Sequence, residues 1–166
     1  DPKKKLKFAW KVVETPTGLA GVDTGLPNRV VEEALRAGAI PAFTGYDETR
    51  REVKYGAGSR VDFLLTGAGR RDCWLEVKCV TLRRGAFAEF PDAKTARGAK
   101  HLSELAEMAR SGARAATLYL AHRADCADMR IAADIDPAYA AAHAEARVAG
   151  METHAFAADV TLDGVT

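Results

Sequence analysis

Asp62, Glu76 and Lys78 are the residues whose types and spacing carry the most chemistry. Asp62 lies in the run RVDFLL, and Glu76 and Lys78 lie in CWLEVK. Side chains alternate across a strand, so Glu76, Lys78 and Trp74 share one face while Leu75, Val77 and Cys79 take the other. The turn GAGRRD at 67–72 joins the two runs as a hairpin, which is expected to bring Asp62 beside Glu76. Two carboxylates in contact repel, and both ionise only when a cation lies between them. Oxygen-only ligation of that kind suits Mg²⁺ or Mn²⁺, with the backbone carbonyl of Val77 as a candidate third oxygen. A lysine beside such a cation can position a water, and the set is suited to in-line attack on a phosphodiester. On spacing alone, the same residues also read as a surface ion pair between Glu76 and Lys78.

The elements that must position these residues follow from hydrophobic period and from the caps. Residues 6–14 (LKFAWKVVE) read as an apolar strand, and so abrupt an opening suggests the later part of a longer chain. Pro27 to Gly38 reads as a first helix, with Asn28 at its start and Val31, Ala34 and Leu35 on one face. Three short strands are expected at Glu52–Tyr55, Arg60–Thr66 and Cys73–Thr81, separated by glycine-rich turns. Thr95 caps a longer helix that Gly112 stops, and Ala115–Ala121 is a continuous apolar strand. Asp136-Pro137 opens a third helix that runs to Gly150, and Met151–Val160 is a last strand. The order predicts an α/β fold: a mixed sheet with an antiparallel meander at one end and crossover helices at the other.

The chain has 166 residues, 48% of them hydrophobic and 28% charged, with a net charge of +1. This is the composition of one globular domain and excludes a disordered or fibrous chain. No apolar run approaches the length of a membrane span, so no membrane partner is expected. The three cysteines, Cys73, Cys79 and Cys126, fit no zinc spacing and read as free thiols of a reducing cytoplasm. Charge is unevenly distributed: residues 1–100 hold 19 Lys and Arg against 13 Asp and Glu, and the remainder hold 5 against 10. The basic half suggests a polyanion-facing surface. Arg51, Lys54, Arg60, Arg83 and Arg84 lie on or beside the meander as candidate phosphate contacts. Lys3, Lys4, Lys5 and Lys7 read as a linker or a basic arm.

An acid on the second strand and E-x-K on the third, within helix–three strands–helix–strand, resembles the PD-(D/E)xK nuclease superfamily. Val61 stands where that superfamily often has proline. The resemblance implies a restriction-endonuclease-like mixed sheet flanked by helices. It also implies a further glutamate on the first helix, where Glu32 and Glu33 are candidates and Glu33 better fits the spacing N-R-x-x-x-E. Polar groups on the second helix are implied as well, and Arg97, Lys100 and His101 lie there as candidate nucleic-acid contacts. The segments TGLPNRVVEEAL, REVKYG, SRVDFLL, CWLEVKCVTL, FPDAKTARGAKHLSEL and IDPAYAAAHAEARVAGMETHAF are together similar to the sugar fermentation stimulation protein A family. That likeness implies an OB-fold-like domain ahead of a nuclease-like one. Residues 1–26 would then be an entry strand and linker, and residues 27–166 the nuclease-like domain. It further implies DNA as the partner, bound mainly through phosphates, with a homodimer left open. Two functions follow as expectations. One is Mg²⁺-dependent cleavage by Asp62, Glu76, Lys78 and Glu33. The other is a non-catalytic, sequence-independent DNA-binding regulator of sugar (maltose) metabolism. Fold likeness alone does not establish activity.

Overall fold

A computed structural model describes residues 8–165; Lys3, Lys4, Lys5, Lys7 and the start of the strand expected at 6–14 lie outside the described residues. The chain opens with a hairpin of β1 (Val12–Thr15) and β2 (Gly18–Gly21), followed by helix α1 (Leu26–Arg36). The meander comprises β3 (Glu48–Tyr55), β4 (Ser59–Thr66) and β5 (Cys73–Val80). Short strands β6 (Leu82–Arg84) and β7 (Phe87–Phe90) precede α2 (Ala96–Arg110) and β8 (Arg114–Ala121). Strand β9 (Asp128–Ile131), α3 (Pro137–Val148) and β10 (Glu152–Ala157) complete the order.

The main sheet runs β10-β8-β5-β4-β3, with β3–β4–β5 antiparallel and β5–β8–β10 parallel. This is the mixed sheet expected from the sequence. β8 is buried along nearly its whole length, which is why it reads as an unbroken apolar run. Helix α1 covers one sheet face through Val31, against Phe63, Leu65, Leu75 and Val77. Helices α2 and α3 cover the other, with Leu102, Leu105, Tyr139 and Ala146 packed against Leu64 and Tyr119. Both caps lie where the sequence places them. Thr95 accepts from the Gly98 N–H at 3.0 Å, and Asp136 accepts from the N–H groups of Tyr139 and Thr95. The second cap ties the start of α3 to the start of α2. Among the described residues, no helix is long and apolar enough to cross a membrane.

Several local expectations are corrected. Among the described residues the first strand begins only at Val12, and Phe8 and Trp10 are 87% and 86% exposed. Helix α1 begins at Leu26 rather than Pro27, which leaves Asn28 at its start as expected, with its side chain turned to Asp62. β3 starts at Glu48 rather than Glu52, and the last strand ends at Ala157. Strands β6, β7 and β9 form a second sheet that the sequence reading did not contain.

One distortion of the meander shapes the site. The β4–β5 ladder pairs Leu65 with Cys73, Leu64 with Trp74 and Phe63 with Leu75, then stops. Val61 packs beneath α2 while Phe63 packs beneath α1, so β4 rotates at Asp62. Across β3–β4, the pairs Arg51–Phe63 and Val53–Val61 bracket Glu52 and Asp62. Glu52 has φ 53, a left-handed conformation that a non-glycine residue adopts only when its surroundings enforce it. Beyond this point the β3–β4 tip leaves β5 and leans onto α2. There Glu104 accepts from the Ala57 N–H at 3.1 Å, and Lys100 donates to the Ala57 carbonyl at 3.3 Å.

Candidate metal and phosphodiester site

The departure of β4 opens a cleft of about 220 Å³. Its walls come from four places: Thr24, Pro27 and Asn28 at the start of α1, Asp62 on β4, Glu76 to Cys79 on β5, and Thr95, Arg97, Gly98 and His101 on α2. Asp62, Glu76 and Lys78 thus line one cleft. Where the ladder stops, the Asp62 carboxylate takes over as acceptor: Oδ2 receives the Val77 N–H at 2.8 Å, and Oδ1 receives the Asn28 amide at 2.7 Å. The N–H and C=O of a strand residue point to the same side, so the Val77 carbonyl faces this gap too.

Glu76 is 4% exposed. Its Oε1 accepts from Lys78 Nζ at 2.8 Å and lies 2.6 Å from His101 Nδ1. Its Oε2 is buried without a partner. A buried carboxylate oxygen in that condition is costly unless something absent from the polypeptide satisfies it. The two acids are driven apart electrostatically. Burial, and then the Glu76 charge, push the Asp62 carboxyl up to about 6 despite its two hydrogen bonds. Burial also pushes Glu76 upward, but the His101 hydrogen bond and the Lys78 ammonium outweigh it and hold Glu76 below the ordinary range. A cation between these groups would relieve the repulsion and partner the free oxygen. Among the described residues no group of three or more His, Cys, Asp or Glu gathers to hold a metal, so a cation here would rest on two carboxylates, backbone and water.

The other candidate residues divide. Glu33 does not join the cleft: it is exposed and lines a different groove with Lys11, Asp23 and Arg29. Glu32 is buried, but in ion pairs with Arg36 at 2.6 Å and Arg51 at 2.8 Å, so Arg51, expected to contact phosphate, is engaged within the protein. The reason is helical period. Asn28 and Glu32 are four residues apart on the face that meets the sheet, whereas Glu33 is turned about 100° away. Arg83 donates to the Asp125 carbonyl at 3.1 Å, and Arg84 is held by Glu89 and Asp134, so both brace the region around the second sheet. Lys100 latches the β3–β4 tip and lies 3.6 Å from Glu104. His101 is 5% exposed and supports Glu76 instead of facing outward. Arg97 is exposed on the cleft wall. Lys54 and Arg60 are exposed and directly paired in register, two like charges that an anion would relieve. One contributor, Asn28 as a partner of Asp62, carried no motif; its signal was a polar side chain on the face of α1 expected to meet the sheet. His101 lies on α2 near the lysine, where the superfamily resemblance implies a polar group, but it partners Glu76 rather than nucleic acid.

Comparison with known proteins agrees with this architecture. The profile of the sugar fermentation stimulation protein RE domain matches residues 25–164. The sugar fermentation stimulation protein homolog of Jannaschia sp. (strain CCS1) is 54% identical over 169 residues, covering 100% of this chain and 70% of that protein. The homolog from Roseobacter denitrificans is also 54% identical, over 99% of this chain and 71% of that protein. The structure of Pyrococcus furiosus SfsA in complex with Ca²⁺ superposes with a TM-score of 0.86 at 28% identity. That alignment covers 93% of this chain, which spans 66% of the Pyrococcus chain. With a profile that matches most of its length and relatives more than half identical across it, the chain belongs to the sugar fermentation stimulation protein family.

Proposed function

We propose that this domain binds DNA across the cleft and hydrolyses phosphodiester bonds with a divalent cation. The observation that carries the reading is the convergence of Asp62, Glu76 and Lys78 on one cleft, with Glu76 Oε2 buried and unpartnered. The Pyrococcus relative in complex with Ca²⁺ supports a hard divalent ion, and Mg²⁺ or Mn²⁺ is the working ion proposed here. Asp62, Glu76 and the Val77 carbonyl would hold it. When bound, such an ion supplies charge neutralisation and Lewis-acid polarisation at a phosphate. The Asn28 amide and the Val77 N–H fix the orientation of Asp62. Lys78, on a flexible stem beside Glu76, orients the attacking water. Arg97, Lys54 and Arg60 contact backbone phosphates, which confers affinity with little sequence preference. The free thiols Cys73, Cys79 and Cys126 accord with a cytoplasmic setting.

The test is incubation with plasmid and single-stranded DNA in Mg²⁺, in Mn²⁺ and in EDTA. Cleavage with either metal that EDTA abolishes is expected. One observation favours the rival reading, a non-catalytic DNA-binding regulator of sugar metabolism: Lys78 is engaged by Glu76 in an ion pair. DNA binding without cleavage under every condition would select that reading.

A further inference from the structure

The two oxygens of Glu76 are in opposite circumstances. Oε1 is taken by Lys78 and His101, and Oε2 is buried and free. The last torsion of a glutamate is soft, so the groups that hold the carboxylate decide which oxygen is presented. Lys78 is a poor holder, because its four-carbon stem is flexible and the cleavage reading requires it to reach water. His101 is a rigid ring on α2, 5% exposed, with Leu102 and Leu105 of the same helix packed into the core. Its second nitrogen, Nε2, lies 3.4 Å from Arg97 Nε one turn earlier. Arginine only donates, so Nε2 accepts, and the hydrogen-bond network assigns the ring proton to Nδ1, facing Glu76.

We propose that His101 is the positioning residue of Glu76. Its Nδ1–H pins Oε1 and presents Oε2 to the cation, which leaves Lys78 free to turn away once the ion is bound. This inference rests on the cation reading above. Groups that orient a metal-binding side chain typically cost 10–100-fold in metal affinity when removed.

Ca²⁺ titration of the chain by calorimetry separates this role from space filling. In asparagine, the amide nitrogen hangs from Cγ as Nδ1 does in histidine, so His101→Asn keeps a donor toward Glu76. His101→Gln is nearer to histidine in size but carries its amide one carbon further, toward Arg97. The expectation is that His101→Asn stays within about threefold of the wild-type affinity while His101→Gln loses about 10–100-fold. Equal affinities in the two variants, or the better affinity in His101→Gln, would overturn the proposal. A second measurement needs no variant to fold: ring ¹⁵N shifts of the wild-type protein should show His101 protonated at Nδ1 and bare at Nε2, and the opposite tautomer would overturn it. A wild-type chain that takes up no Ca²⁺ would instead overturn the cation reading and this proposal with it.

Discussion

Replacing Asp62 by asparagine should stabilise the metal-free protein and abolish its response to metal. Asp62 ionises near pH 6 in the folded chain, against 3.8 ordinarily, because it is buried beside the Glu76 charge. Between about pH 4 and pH 6 the folded protein retains a proton that the unfolded chain has lost, so stability falls as pH rises through that window. The separation corresponds to about 3 kcal/mol at its upper limit, fully expressed above pH 6. Asparagine removes the charge and keeps the shape. Its carbonyl oxygen can accept from the Val77 N–H, and a flipped Asn28 amide can accept from its NH₂, so both existing contacts survive. Urea unfolding in EDTA should therefore show Asp62→Asn more stable by about 1–3 kcal/mol at pH 7.5, with the gain mostly lost at pH 4.5. Adding Ca²⁺ offsets most or all of the advantage. The wild-type chain gains about 2.7 kcal/mol at a hundred times its Kd, and the variant gains little. A variant less stable than wild type in EDTA, or a gain of equal size at both pH values, would refute the reasoning.

Other consequences are equally direct. Glu76→Gln should eliminate Mn²⁺ binding measured by calorimetry, since it removes the carboxylate with the free oxygen; undiminished affinity would show that the ion sits elsewhere. With Lys54, Arg60 and Arg97 as the phosphate contacts, the logarithm of DNA affinity should fall against the logarithm of salt with a slope of about −3. Arg60→Ala should flatten that slope by about one, whereas Arg84→Ala, which removes a group already spent on Glu89 and Asp134, should leave it unchanged. Gly98→Ala should lower thermal stability, because its new methyl would lie 2.9 Å from Thr95 and 3.0 Å from the Tyr139 ring, loosening the start of α2.

The acid–acid–lysine set was legible because it depends on local rules. Strand alternation puts Glu76 and Lys78 on one face, and a short hairpin brings Asp62 alongside. The caps Thr95 and Asp136 and the stop at Gly112 (φ 90) were legible for the same reason: each acts within a few residues. The helix glutamate was not. N-R-x-x-x-E favours Glu33, but which face of α1 meets the sheet is fixed by the packing of Val31 against Phe63 and Leu75, a contact between distant segments. His101 read as a nucleic-acid contact because sequence does not show that α2 approaches β5 closely enough for its ring to meet Glu76. Arg83 and Arg84 read as phosphate contacts because their partners, Asp125, Glu89 and Asp134, lie mostly far along the chain on strands and turns too short to register. The rotation at Glu52 and Asp62 has no sequence signature, since the left-handed residue is a glutamate rather than a glycine.

The central claim is that Lys78 serves chemistry rather than affinity, and Lys78→Met tests it most directly. Plasmid cleavage in Mg²⁺ or Mn²⁺ and DNA binding in Ca²⁺ would be measured on the same preparations of wild type and variant. The account predicts a loss of at least about 10²-fold in cleavage rate, the scale of a positioned proton-transfer group, with DNA affinity reduced by about tenfold or less. Equal cleavage by the two proteins, or none by either in any metal, would contradict it and leave a DNA-binding regulator on a nuclease-type fold.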